Sequence, residues 1–203
     1  MAKVSKQYKE KIPTATFSDL SRPIVFVVDM INGFTKEGAL SDASILEIND
    51  DIIRLLKNEP ANVFVCDSHN LDAREFESYP IHCIENTEES DVIHELKEYV
   101  QDTIYKNSTN AFVAEGFQSQ MEEYLLAYDD YVIVGCCSDI CIMQFALAFQ
   151  TFLNEHNLNK KRIIVPINMI ETFHIEGVHD QQKMNETACG FMISNGIQVV
   201  EMR

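Results

Sequence analysis

Tyr131-Val132-Ile133-Val134-Gly135-Cys136-Cys137-Ser138-Asp139-Ile140-Cys141-Ile142 reads as a strand, a tight turn and a helix start. The apolar, largely β-branched residues at its head form a short continuous run, the pattern of a strand buried on both faces. Beyond the turn, Ile142, Phe145, Ala146, Phe149 and Phe152 recur at steps of three and four, which predicts a helix over 139–152. Ser138 or Asp139 can cap that helix, and Cys141 then falls in its first turn. A thiol there feels the positive end of the helix dipole, which favours thiolate over thiol. By that argument Cys141 is a better nucleophile than Cys136 or Cys137.

The alternation continues outward in both directions. Buried strands are predicted over 23–28, 62–66, 103–105, 162–165 and 197–200, and helices over 44–58, 91–99, 117–128 and 179–195. Residues 67–89 show no period and hold two His among many acids, so they read as a long loop, and loops of that length in compact domains are usually functional or disordered. Strands alternating with helices imply right-handed crossovers. The expected fold is α/β, a Rossmann-like three-layer α/β/α arrangement with a central, mostly parallel sheet, formed by one domain over 1–203 with an N-terminal extension over 1–20. Ligands bind beyond the carboxyl ends of such strands. Asp29, Asp67, Lys106 and the turn from Gly135 to Cys141 all lie just after strands, so residues far apart in sequence are expected to meet there.

Composition narrows the function. At 203 residues with 46 % hydrophobic and 24 % charged side chains, the chain suits one globular core. No apolar run approaches membrane-spanning length, and the N-terminal residues lack the apolar centre of a secretory signal, so the cytoplasm is the expected compartment. A net charge of −16 repels phosphate backbones and anionic lipid. The expected partners are therefore a small molecule and further copies of the chain in a homo-oligomer, with neither nucleic acid nor membrane. The six cysteines fall mostly in or beside apolar segments, unlike a secreted disulfide framework. Cys66, Cys83 and Cys189 read as packing residues.

A cysteine at a strand-helix junction can simply pack, and a lone lysine is usually solvated. An acid ending the first strand, a lysine after a short strand and a thiol at a helix start make a stronger set together. A carboxylate can take the thiol proton and return it to a departing amine, while an ammonium holds the carboxylate and offsets developing negative charge.

Four motifs then occur in order: Val28-Asp29-Met30-Ile31-Asn32-Gly33-Phe34 with Gly38-Ala39-Leu40; Asp67-Ser68-His69 with Tyr79-Pro80-Ile81-His82-Cys83; Lys106-Asn107-Ser108-Thr109-Asn110-Ala111-Phe112; and Gly135 through Cys141. In these the chain resembles the isochorismatase-like cysteine hydrolases, and within them the nicotinamidases, over about 23–200. The resemblance implies a catalytic triad of Asp29, Lys106 and Cys141. It also implies a cis peptide joining Cys136 to Cys137, and an oxyanion hole from the backbone N–H groups of Cys137 and Cys141. The implied activity is that of an amidohydrolase acting on linear amide C–N bonds through a Cys thioester.

Asp67, His69 and His82 offer a carboxylate and two imidazoles, a reasonable donor set for a divalent transition metal with open positions. The resemblance implies zinc, iron or manganese there, with no organic cofactor, and adds Glu75 as a further ligand, Glu77 being its nearby rival. Phe34, Tyr79 and Cys136 are the expected substrate contacts. Tyr79 stands where the family usually has Trp, and Asn86-Thr87-Glu88-Glu89 stands in place of its usual Gly-Thr-x-Gly. His174 and His179 flank a loop before the last helix, where capping and surface roles suit them better than bordering the pocket or a subunit interface. The function expected is hydrolysis of nicotinamide to nicotinate and ammonia in pyridine-nucleotide salvage. The rivals are another small amide or N-carbamoyl compound, whose enzymes in this superfamily lack the metal set, and a non-catalytic ligand-binding relative.

Overall fold

A computed structural model describes residues 4–203. The extension opens with a short helix, α1 (Lys6–Lys9), and a two-residue strand, β1 (Thr14–Ala15). The strands β2 (Pro23–Val28), β3 (Asn62–Asp67), β4 (Thr103–Lys106), β5 (Asp130–Cys136), β6 (Arg162–Pro166), β7 (Ile170–Glu171) and β8 (Gln198–Met202) complete the sheet. Its order is β1-β8-β6-β5-β2-β3-β4, with β7 pairing β5, and every pairing is parallel. The expected mostly parallel sheet is thus parallel throughout.

Alternation along each strand divides the core. Ile24, Phe26 and Val28 face one layer, where α4 (Glu115–Ala127), α5 (Met143–Glu155) and α6 (Gln181–Ser194) bring Phe117, Phe145, Phe149 and Met192. Val25 and Val27 face the other, where α3 (Asn49–Asn58) buries Ile52, Leu55 and Leu56. Each such side chain contributes about 1.5–3 kcal/mol when fully buried. Phe26 lies edge-on to Phe117, Tyr124 and Phe145 at 5.6, 5.4 and 5.4 Å, a geometry that suits ring quadrupoles. These two layers around the sheet are the three-layer α/β/α fold. Among the described residues, no helix is long and apolar enough to cross a membrane. The six cysteines are buried free thiols, as their apolar settings imply.

Three local expectations fail. Residues 91–99 contain only a single turn at Lys97–Tyr99 instead of a helix, because Ile31 and Val92 form a backbone bridge that extends the chain there. The helix expected over 44–58 begins as a tighter turn at Ala43–Ile48 capped by Asp42. Residues 32–35, which lie in none of the elements expected from sequence, form the one-turn helix α2 (Asn32–Thr35).

From β2 the chain moves outward through β3 to β4, then returns to place β5 on the opposite side of β2. The carboxyl ends of β2 and β5 therefore flank the point where strand order reverses, the usual place for a ligand crevice. Gly135 lets the two strands approach there: it pairs with Val28, its φ is +113°, and a Cβ would overlap the Val28 carbonyl oxygen. Only glycine fits.

Candidate active site

Asp29 leaves β2 with φ +54°, a left-handed conformation that Asp tolerates better than most residues. Its own N–H donates to the Val65 carbonyl at 2.8 Å, and its Oδ1 accepts the Asp67 N–H at 2.9 Å. So pinned, the other oxygen lies 2.9 Å from Lys106 Nζ. Lys106, the last residue of β4, also donates to Asp67 Oδ1 and lies 3.8 Å from Cys141 Sγ. One Nζ thus contacts the carboxylates ending β2 and β3 and the thiol after β5. Asp29, Asp67, Lys106 and Cys141 are all buried, the most accessible of them, Cys141, being 4 % exposed.

Burial sets the electrostatics. It pushes the Asp29 carboxyl up to about 6, the Asp67 charge adding to the rise and Lys106 opposing it. Burial also works against charge on Asp67, but Lys106, His69 and His82 hold that carboxyl well below its ordinary range. Desolvation would discharge Lys106, yet the two carboxylates keep its pKa well above the ordinary value. The cation is fixed between them.

The turn that carries Cys141 differs from its expected form. The peptide joining Cys136 to Cys137 is cis, as the resemblance implied. Ser138–Ile142 form a wide turn before α5, in which the Cys137 carbonyl accepts the N–H groups of Ile140 and Ile142, both at 3.1 Å. Single wide turns of this kind often occur at functional sites. Neither expected cap operates: Ser138 Oγ pairs with Asn185 Oδ1 at 2.5 Å, and Asp139 Oδ2 lies 2.9 Å from His179 Nε2. Nor is Cys141 a ready thiolate. Burial pushes its thiol well above the ordinary value, the nearby carboxylates add to the rise, and Lys106 only partly opposes them. Burial thus works against the thiolate that a helix start favours.

Asp67, His69, Glu75 and His82 place one donor atom each within 4.8 Å of one another. His69 Nδ1 is 2.9 Å from Asn107 Oδ1, and His82 Nδ1 is 2.7 Å from the Pro80 carbonyl. Those outer partners turn both Nε2 atoms toward Asp67 Oδ2, at 3.7 and 3.8 Å. His69 Nε2 is buried and has no hydrogen-bond partner. An orphaned, solvent-free ring nitrogen is costly, and a metal ion would relieve it. Orientation of imidazole ligands through their second nitrogen is the usual support of a metal site. The donor set therefore fits the expected cation. Glu75 joins it with Oε2 fixed by the Thr109 N–H at 3.0 Å, whereas Glu77 is exposed.

A cavity of about 340 Å³ opens above these groups. Asp67, Glu75, His82, Cys137 and Cys141 line it, with Phe34, Tyr79, Ile140 and Phe173 as apolar walls. Phe34 and Tyr79 flank the His82 ring at 5.6 and 6.3 Å. Cys136, expected at the substrate, lies behind the wall: it is fully buried and its thiol donates to the Asp29 carbonyl at 3.1 Å. His174 borders the cavity, and Asp180, beside His179, caps α6. Asn107, Thr109, Ile140 and Phe173 are site residues that the sequence reading misses. Asn107 and Thr109 adjoin Lys106 in one of the four motifs, which is the signal available for them.

The chain belongs to the isochorismatase domain family, whose model matches residues 23–150. It is accordingly a hydrolase of that type. Nicotinamidase 1 of Arabidopsis thaliana is 25 % identical to it, over 96 % of this chain and 93 % of that protein. Among solved structures, a nicotinamidase from Bacillus subtilis superposes with a TM-score of 0.70 at 23 % identity, covering 89 % of this chain and 100 % of that one. A pyrazinamidase of Pyrococcus horikoshii in complex with zinc gives 0.70 at 20 % identity, covering 89 % and 99 %.

Proposed function

We propose that the protein is a metal-dependent amidohydrolase that converts nicotinamide to nicotinate and ammonia. The observation that carries this reading is the Lys106 ammonium, 2.9 Å from Asp29 and 3.8 Å from Cys141, where Cys141 lines the same cavity as Asp67, Glu75 and His82 of the donor cluster. Acid, cation and thiol meet beside a polar anchor and aromatic walls. The similarity to the Arabidopsis nicotinamidase supports the same substrate class.

In the proposed cycle Asp29 takes the Cys141 proton as sulfur attacks the amide carbon. Lys106 stays cationic and offsets the charge passing between them. The carbonyl oxygen becomes an oxyanion held by the backbone N–H groups of Cys137 and Cys141, each worth about 3 kcal/mol in such a role. Asp29 then returns its proton to the nitrogen, ammonia departs and a thioester remains. Water, deprotonated by Asp29, adds to the thioester; its collapse releases nicotinate and restores the thiol. Asp67, His69, Glu75 and His82 are the proposed ligands of zinc, iron or manganese, which when bound supplies a Lewis-acid anchor for the pyridine nitrogen. Phe34 and Tyr79 are proposed to hold the ring so that its carboxamide faces Cys141.

The test is ammonia release from nicotinamide and a panel of other amides and N-carbamoyl compounds. Cys141→Ala is expected to abolish turnover while leaving substrate binding measurable. Activity retained by that variant would overturn the nucleophile, and preference for an N-carbamoyl compound would overturn the substrate.

A further inference from the structure

The nucleophile turn is tied to a segment beyond the stretch that matches the family model, which ends at residue 150. His179 Nε2 lies 2.9 Å from Asp139 Oδ2, and Asp139 stands two residues before Cys141. The other ring nitrogen of His179 lies 2.9 Å from the Phe173 carbonyl oxygen. The His179 ring itself stacks on the Phe173 ring, with centroids 3.9 Å apart and planes 15° apart. Phe173 is a wall of the cavity.

The surroundings hold this histidine in place. Ile175 and His179 exchange backbone hydrogen bonds of 3.0 and 2.8 Å, closing a loop over 175–179. Asp42 Oδ2 accepts the His174 N–H at 2.9 Å, and α6 begins immediately after Asp180. The Asp139 side chain is 7 % exposed, and its Oδ1 is buried with no hydrogen-bond partner. The bond from His179 is what orients this carboxylate. Without it a buried acceptor is left unpaired in the turn that carries the thiol, at a cost that the turn can relieve by moving.

We propose that His179 is a positioning residue with two separable effects: through Asp139 it fixes the Cys141 turn, and through Phe173 it fixes the wall against which substrate packs. The proposal rests on Cys141 being the nucleophile, as inferred above. It does not rest on nicotinamide being the substrate.

Two substitutions divide the contacts. His179→Gln keeps an N–H donor for Asp139 and loses the ring stack. It is expected to hold kcat near the native value and raise KM about fivefold, the scale of one aromatic contact. His179→Phe keeps the stack and loses the donor. It is expected to leave KM near native and lower kcat about tenfold, since small displacements of a reacting group are costly.

The rate of Cys141 alkylation by iodoacetamide, followed by mass analysis of the peptide that holds it, is measured on the same proteins without substrate. It should change about fivefold or more in His179→Phe and little in His179→Gln. Should nicotinamide prove the wrong substrate, this measurement still decides the matter. Should His179→Phe not fold, Asp139→Ala and Phe173→Leu separate the same contacts, the first acting on kcat and the second on KM. Equal effects of both variants on kcat and KM, or alkylation unchanged in the variant that loses the Asp139 contact, would overturn the proposal.

Discussion

Lys106 is a buried cation facing two buried carboxylates, so its removal has consequences beyond the loss of one bond. Replacing it with Met keeps the volume and strands Asp29 and Asp67 as like charges without their counter-ion. Breaking a buried ion set in this way costs about 3–5 kcal/mol. At about 2–4 °C per kcal/mol for a chain of this size, the melting temperature should fall by roughly 10 °C. Turnover should vanish as well, and a Lys106→Met protein that keeps either native turnover or the native melting point would contradict the arrangement.

Asp29 makes a second statement at the same scale. A base must be ionised to accept the thiol proton, so kcat/KM should climb with pH and level off above about 6, where burial has moved this carboxyl. The same shift acts on stability in the opposite sense. The folded carboxyl keeps its proton to about 6 while the unfolded one releases it near 3.8, so this residue's contribution to stability falls as pH rises through that window. A pH-rate profile and melts over the same range check the two slopes separately.

At the scale of elements, the β2 and β5 ends form one unit whose geometry depends on Gly135. Gly135→Ala would drive a Cβ into the Val28 carbonyl at a φ of +113°, an overlap that backbone movement must relieve. Destabilisation above about 4 kcal/mol is expected, read as a lower denaturant midpoint with an unchanged slope. The loop over 67–82 gives the other test. Chelation should lower the melting temperature and added zinc restore it, by about 2.7 kcal/mol of stabilisation at a hundredfold excess over Kd. His69→Ala and His82→Ala should lose that response, and native metal content in either would remove the cluster from the proposal.

Elements also differ in how far the sequence discloses them. The strands at 23–28 and 62–67 are legible because a run such as Ile24 to Val28 is apolar on both faces, and both faces are in fact covered. Residues 91–99 mislead because Ile93 and Leu96 carry a helical spacing while a backbone bridge at Val92 holds them in turns. Asp29, Lys106 and Cys141 could be gathered on paper because parallel sheets present ligands at one edge. The partners that orient them could not. Asn107 reaches His69 across 38 positions and His179 reaches Asp139 across 40, contacts that leave no local period to read.

Across the whole molecule, the sheet separates the proposed chemistry from the N-terminal segment. β1 pairs with β8 at the sheet edge, whereas the site lies at the β2 and β5 ends. Val4 and Ile12 are buried in the core, and Glu186 Oε1 of α6 accepts the Ser5 N–H at 2.7 Å. Two buried aliphatic side chains contribute roughly 3–5 kcal/mol, so a chain beginning at Phe17 should melt roughly 10 °C lower. None of the described residues it loses lines the cavity. At a temperature where both forms are folded, kcat/KM should therefore match that of the full chain. A truncated protein that melts like the parent would mean the segment adds no stability, and one that is fully folded yet tenfold slower would mean the far edge is coupled to the cavity through α6, whose Asn185 reaches the Cys141 turn at Ser138.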